Sequence, residues 1–281
     1  MKDITKLIQL ISLVIVAKVD SARILAYFPT PSISHQIVFR PLTQALAERG
    51  HEVIVVTTDP AFPKGETPPN LTEIDVHDIS YNIWKKSLKY YNGNQKSIVA
   101  QVKVIFESAA NIFDAQMNSP QVKNTLKNKD KKYFDLLLLE PWSRPLIGLA
   151  HKFDTSVIFI SSFGAIPIQY NMFGAPTHPL LYPTAGRQRL YNLTLFQKGL
   201  ELFKIVALEY LIRSTEDYDQ IIMKKHFGDD LPSFESLGRK VKMMFLNEHP
   251  IWADNHPVPP NIVYIRGILQ PENKELPQVC I

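Results

Sequence analysis

Short apolar runs alternate with longer amphipathic stretches along this chain, and the alternation predicts its architecture. Arg23 to Phe28 (RILAYF) reads as a strand. Pro29 to His35 (PTPSISH) reads as a loop, because two prolines and three hydroxyl side chains continue neither strand nor helix. Gln36 to Arg49 predicts a helix, with Val38, Leu42, Ala45 and Leu46 on one stripe and Gly50 as its stop. Glu52 to Thr57 (EVIVVT) is a β-branched run and a second strand. A strand, loop, helix and strand of this length form a βαβ crossover, which implies parallel strands.

The rhythm continues. Leu71 to Val76 reads as a third strand. Ser97 to Met117 reads as a helix, with Val99, Val102, Ile105, Phe106, Ala109 and Phe113 at helical spacing. Phe134 to Leu139 (FDLLLL) is nearly all apolar, as a strand buried on both faces should be. Pro145 to His151 reads as a helix and Ser156 to Ile160 as the next strand. Phe163 to Tyr182 is a loop rich in glycine, proline and aromatics, too long to be a mere connection. Arg187 to Phe227 predicts one or two amphipathic helices. Val241 to Asn247 and Ile262 to Ile265 are late strands. Together these elements predict an α/β chain with a Rossmann-like doubly wound parallel sheet.

Composition narrows the classes of function. Of 281 residues, 45% are hydrophobic and 21% charged, enough apolar material for a substantial core. The net charge of +4 is dispersed, and the cluster Lys127, Lys129, Lys131 and Lys132 reads as a solvated helix end. No basic stripe with interleaved aromatics exists, so no nucleic-acid partner is expected. The 11 glycines include no G-x-G pair and no GxxxxGK loop, so the usual backbone cradles for a pyrophosphate are missing. At the N-terminus, Lys2 and Lys6 precede the apolar run Leu7 to Ala17, and small residues near Ala22 suit cleavage. Residues 1–22 therefore read as a secretory signal. Asn70-Leu71-Thr72 and Asn192-Leu193-Thr194 are glycosylation sequons. No later run of 18 apolar residues occurs, so no transmembrane anchor is expected. Cys280 is the single cysteine and excludes an internal disulfide.

Two polar residues fall where an open α/β sheet binds ligands, beyond the carboxyl ends of its strands. His35 follows the first strand, and Glu140 follows FDLLLL. A histidine beside a carboxylate is a general base whose imidazolium the acid orients and stabilises. The plainer alternative is that His35 caps the following helix and Glu140 is a turn acid. Competing signatures fail. His51-Glu52 opens like HExxH, but position 55 is Val, and Ser161-Ser162-Phe163-Gly164 lacks the first glycine of a nucleophile elbow. His249 and His256 have no third ligand nearby, so no metal is expected. Phe163, Tyr170, Met172, Phe173 and Tyr182 on the long loop suit a lipophilic ligand, or else seal the core beneath a lid.

These residues also carry a resemblance. Pro31-Ser32-Ile33-Ser34-His35-Gln36, then Leu46-Ala47-Glu48-Arg49-Gly50-His51-Glu52-Val53, resembles the opening of animal UDP-glycosyltransferases. Tyr170 to Pro183 (YNMFGAPTHPLLYP) and Phe245 to Trp252 (FLNEHPIW) are similar to the insect members. The resemblance runs from Ile24 to Pro277. It implies a GT-B fold of two facing Rossmann-like units. The N-terminal unit, residues 23–267 here, binds a small lipophilic acceptor such as a phenol, sterol or xenobiotic and supplies the base. The C-terminal unit binds the UDP-sugar, UDP-glucose in this branch, as co-substrate, so this half binds no cofactor. The family's base matches His35. Its aspartate partner matches position 140, where this chain has Glu140, one methylene longer. Ser34, Ile33, Trp142, Phe163, Tyr170, Met172 and Phe173 are the expected acceptor contacts. The implied reaction is inverting transfer to a hydroxyl, in the endoplasmic reticulum lumen or beyond, in the service of detoxification.

The family continues after Glu275-Leu276-Pro277 with a donor domain and a membrane anchor, whereas this sequence finishes at Gln278-Val279-Cys280-Ile281. Residues 268–281 are thus expected to begin an interdomain linker, with the donor domain absent. Two readings stay open: the acceptor half of a transferase, or a non-catalytic acceptor- or partner-binding module. An apolar patch around the His35 loop and the Phe163 to Tyr182 loop is expected on either, with self-association or pairing with full-length relatives as its consequence.

Overall fold

The computed structural model describes residues 21–93, 98–127, 129–182, 192–253 and 256–267. The expected signal up to Asp20, the expected linker and Cys280 lie outside the described residues. Among those described, strands β1 (Arg23–Phe28), β2 (Glu52–Thr57), β3 (Leu71–Asp75), β4 (Leu136–Leu139), β5 (Ser156–Ser161), β6 (Val241–Leu246) and β7 (Ile262–Tyr264) form one sheet. Its order is β3-β2-β1-β4-β5-β6-β7, and every pairing is parallel. This is the doubly wound topology, with its switch point between β1 and β4.

The burial pattern explains the apolar strands. On β1, Leu25 and Tyr27 join one core, while Ile24, Ala26 and Phe28 join the core on the opposite face. On β4, Leu137 and Leu139 share the first core and Leu138 the second. Alternate residues pointing to two covered faces is why these strands show no polar alternation.

Helix α1 (Ile33–Glu48) covers the second face, burying Val38, Phe39 and Ala47. Its start corrects the expected loop. His35 lies in the first helical turn, because Ser32 takes the extended N-cap conformation and its carbonyl accepts from the His35 and Gln36 N–H groups. On the other side lie α2 (His77–Gly93), α3 (Ile98–Asn118), α4 (Pro120–Leu126), α5 (Gly148–Phe153), α6 (Pro167–Met172), α7 (Leu195–Arg213), α8 (Glu216–Phe227) and α9 (Phe234–Gly238), with α7 packed on α3 and contributing nothing to the main core. The pattern did not predict α2. The expected helix at Pro145 opens as a 3-10 turn, Arg144–Ile147, before α5. The expected long loop contains α6.

Two contacts dock α7 and α8 against the sheet connections. A Cβ on Gly148 would collide with the Phe227 ring, so only glycine admits α8 at this distance. Arg144, almost fully buried, donates to the Ile212 carbonyl at 2.9 Å and to the Thr215 hydroxyl at 2.5 Å. It also pairs with buried Asp219 at 2.5 Å and lies over the Phe106 ring. One guanidinium thus ties the turn after β4 to the junction of α7 and α8.

Candidate functional site

The site is built at the switch point from the loop that leaves β1. That loop is held by its carbonyls. Gln36, itself 1% exposed, donates from Nε2 to the carbonyls of Phe28 at 3.1 Å and Thr30 at 2.9 Å, and its Oε1 accepts from the Thr57 hydroxyl. The Thr58 hydroxyl donates to the same Thr30 carbonyl at 3.0 Å. Gln116, on α3, donates to the Pro29 carbonyl at 3.1 Å. Prolines at 29 and 31 supply no N–H to such a network. Three buried side chains from three elements therefore fix the loop, and the Thr30 N–H emerges aimed at Glu140 Oε2, 3.2 Å away.

Glu140 is the first residue past β4, and its side chain is fully buried. An ionised carboxylate there is costly unless paired and hydrogen-bonded. Both oxygens have partners: Oε2 accepts from Thr30, and Oε1 lies 2.6 Å from His35 Nδ1. The carboxylate can only accept, so Nδ1 carries a proton, and in the neutral ring Nε2 is then the nitrogen with the lone pair. His35 remains 19% exposed, which leaves its far edge open to a ligand.

An apolar wall adjoins that edge. The His35 ring meets Phe163 edge-on at 5.5 Å, and Phe163 packs on Trp142 at 4.6 Å. The Trp142 indole donates to the Ser161 hydroxyl at 3.4 Å, fixing the ring. Ile33, Ile37 and Phe163 are 42–49% exposed, so apolar surface does gather around the histidine. Ser34 is exposed and bonds the Ser32 hydroxyl. On the β2 side the edge is polar: Asp59 accepts from the Tyr81 hydroxyl, and His77 lies 3.5 Å from it. Burial and the Asp59 carboxylate hold the Tyr81 phenol above its ordinary range.

Other expected contacts are placed elsewhere. Tyr170 is 7% exposed and belongs to the main core, where burial pushes its phenol up. Phe173 packs against the same core. Met172 lies against Gly238 at the end of α9, which leads into the amino end of β6. The reason is α6: one and a half helical turns carry Tyr170, Met172 and Phe173 away from the dyad, whereas Phe163 precedes that helix. The sequon residues Asn70 and Asn192 are both exposed, in left-handed turns. Among the described residues no cluster of metal-binding side chains occurs, and no helix is long and apolar enough to cross a membrane. The buried clamp of Gln36, Thr58 and Gln116 escaped the sequence. Its one signal is a glutamine directly after the histidine, on the helix face that carries Phe39, Thr43 and Ala47.

The fold and these residues define a doubly wound α/β domain with a histidine–carboxylate pair at its switch point. By sequence, the chain is a homologue of UDP-glucosyltransferases over most of its length. The ecdysteroid UDP-glucosyltransferase of Spodoptera littoralis nuclear polyhedrosis virus is 35% identical over 275 residues, covering 93% of this chain and 53% of the viral protein. The enzyme of the same name from Lymantria dispar multicapsid nuclear polyhedrosis virus is 32% identical, covering 88% and 50%. UDP-glucosyltransferase 2 of Dactylopius coccus is 28% identical, covering 94% and 51%. The chain thus spans about half the length of the relatives it matches. No family model matches it. Among solved structures, a Medicago truncatula UGT complexed with UDP-glucose aligns with a TM-score of 0.44 at 13% identity, over 92% of this chain and 55% of that one. The calicheamicin glycosyltransferase aligns with 0.42 at 14% identity, over 87% and 51%.

Proposed function

We propose that this chain supplies the acceptor-binding half of a UDP-glucosyltransferase and that His35 is its general base. The observation that carries the reading is the 2.6 Å contact between His35 Nδ1 and the buried Glu140 carboxylate at the switch point. Nε2 takes the proton of an acceptor hydroxyl. The oxygen then bonds to the anomeric carbon as the bond from that carbon to UDP breaks, with inversion, and UDP leaves with the bonding electrons. Glu140 stabilises the imidazolium that forms. The UDP-sugar, UDP-glucose on this reading, is held by a donor unit, to which residues 268–281 lead. The acceptor is a small lipophilic alcohol or phenol against Trp142, Phe163 and Ile33. The viral relatives named for ecdysteroids favour a sterol. Entry into the secretory pathway, with glycans at Asn70 and Asn192, completes the proposal.

The test has two arms. Acceptor binding by the purified chain is measured with an ecdysteroid and with a simple phenol, and glucose transfer is measured with a donor unit present. His35→Ala should abolish transfer while leaving acceptor binding within a few-fold. Transfer undiminished by His35→Ala refutes the base. Acceptor binding with no transfer under any arrangement supports the non-catalytic module instead.

A further inference from the structure

A second histidine stands at the same edge of the sheet. His77 opens α2, just past the end of β3, and its ring packs on Tyr81 at 4.3 Å. Its Nδ1 lies 2.7 Å from the Thr58 carbonyl, which can only accept, so Nδ1 carries a proton. Asp59 Oδ1 sits 3.5 Å from the same nitrogen. In the neutral ring the lone pair is then on Nε2. The side chain is 46% exposed, and Nε2 has no partner among the described residues.

The surroundings of this ring are fixed and joined to the first histidine. The Tyr81 hydroxyl donates to Asp59 at 3.1 Å, and its oxygen also faces the Ile33 N–H. Arg40, on α1, donates to the carbonyls of Asp59 and Pro60 at 2.8 and 3.2 Å. The Thr58 hydroxyl holds the Thr30 carbonyl, and the Thr30 N–H is the donor to Glu140. One chain of hydrogen bonds therefore runs from His77 through Thr58, Thr30 and Glu140 to His35. The exposed Ile33 side chain lies on the helical turn that joins Tyr81 to His35. Pinning the Thr58 carbonyl accounts for Nδ1 alone. The other nitrogen is a preorganised acceptor on the β2 side of the apolar wall, and an acceptor calls for a donor.

We propose that His77 determines specificity: its Nε2 accepts a hydrogen bond from a second hydroxyl of a lipophilic acceptor whose first hydroxyl lies against His35. The inference rests on the acceptor-binding role proposed above. A compound with one hydroxyl has nothing to give Nε2, so the site favours polyhydroxylated acceptors. The ring is half exposed, and water can replace the missing hydroxyl. The preference is therefore about tenfold, not the 10⁴-fold or so of a sealed polar site.

The test is binding to the full chain without donor. One probe is an ecdysteroid, which carries several hydroxyls, and the other is 2-naphthol, which carries one. His77→Phe keeps a ring against Tyr81 and removes both nitrogens. It should lower the ratio of ecdysteroid to naphthol affinity about tenfold. His77→Gln, whose amide misplaces the acceptor, carries the same comparison if the phenylalanine variant loses its circular dichroism spectrum. A ratio within about twofold of the wild-type value in a folded variant overturns His77 as the contact. A wild-type chain that binds neither compound overturns the acceptor-binding reading and this inference with it. The measurement needs no transfer, so a failure of His35 as the base leaves it readable.

Discussion

Replacing Glu140 by glutamine keeps the shape of the side chain and removes one acceptor. The site asks for two: the Thr30 N–H at one oxygen, 3.2 Å away, and His35 Nδ1 at the other, 2.6 Å away. An amide has one acceptor oxygen and an NH₂ group. If the oxygen serves Thr30, the NH₂ faces Nδ1, which must then accept, and the ring proton moves to Nε2. If the oxygen serves His35, the NH₂ opposes the Thr30 N–H in a fully buried position. Leaving that donor unmade costs about 1–3 kcal/mol. The Gln36, Thr58 and Gln116 clamp holds the Thr30 N–H in place, so the first outcome is expected. Nε2 then has no lone pair to accept a proton. The comparable acid-to-amide change in a serine protease lowers kcat about 10⁴-fold, which corresponds to about 5 kcal/mol of barrier. A similar loss in kcat is expected here, with KM nearly unchanged, because Trp142 and Phe163 are untouched. The assay is UDP release with a donor unit present, alongside ¹⁵N spectra of His35, which separate a protonated from an unprotonated ring nitrogen. A Glu140→Gln protein with an ordinary rate and the proton still on Nδ1 would refute the reasoning.

The other predictions concern what holds the site. Gln36→Leu removes two donors to the β1 loop and the acceptor of Thr57, and should destabilise the fold by about 2–4 kcal/mol in urea titration; an unchanged urea midpoint would show that the clamp is idle. Arg144→Met strands Asp219 in the interior and should cost about 3–5 kcal/mol, whereas Arg144→Met with Asp219→Leu should recover most of it by thermal unfolding; a double variant as unstable as the single would argue against the pair as the cause. Partial burial raises the Asp114 carboxyl, but hydrogen bonds to Lys225 and His226 bring it below its usual range. Its contribution to stability is therefore present above the unfolded carboxyl range near pH 4 and is lost as pH falls through the lower folded value. Asp114→Asn should flatten the acid limb of the stability curve, and an unaltered limb would count against this assignment.

The sheet was legible because parallel strands buried on both faces leave continuous apolar runs, and β1, β2 and β4 lie where RILAYF, EVIVVT and FDLLLL predict. His35 and Glu140 were legible because topology sends both to the carboxyl edge, although 105 residues separate them. The start of α1 was misread, since Pro31 and the serines look like a loop until Ser32 is seen as an N-cap. Helix α2 was missed because its sequence, with Asp78, Asn82, Lys85 and Lys86, is polar overall, although its few apolar residues do fall on one face. Tyr170 was expected to meet a ligand or to seal the core, and it belongs to the core. An aromatic on a glycine- and proline-rich stretch looks exposed until α6 turns it inward. The loop clamp could not be foreseen, because its three side chains come from α1, the end of β2 and α3, and only the folded sheet brings them together.

The order of the strands also fixes the order in which the chain can be assembled during synthesis. β1 pairs with β2 on one side and β4 on the other. Its first partner arrives almost at once, but β3 ends at Asp75 and β4 begins only at Leu136. At about 5–20 residues per second, the intervening stretch occupies the ribosome for roughly 3–12 s. Through that interval the apolar strand β1 shows a bare edge, the kind that recruits stray strands. Once β4 emerges β5 follows soon after, but β5 ends at Ser161 and its next partner β6 begins only at Val241, so a second and longer interval with a bare edge follows. Slow codons or a chaperone stop would therefore matter most before Leu136 and again before Val241.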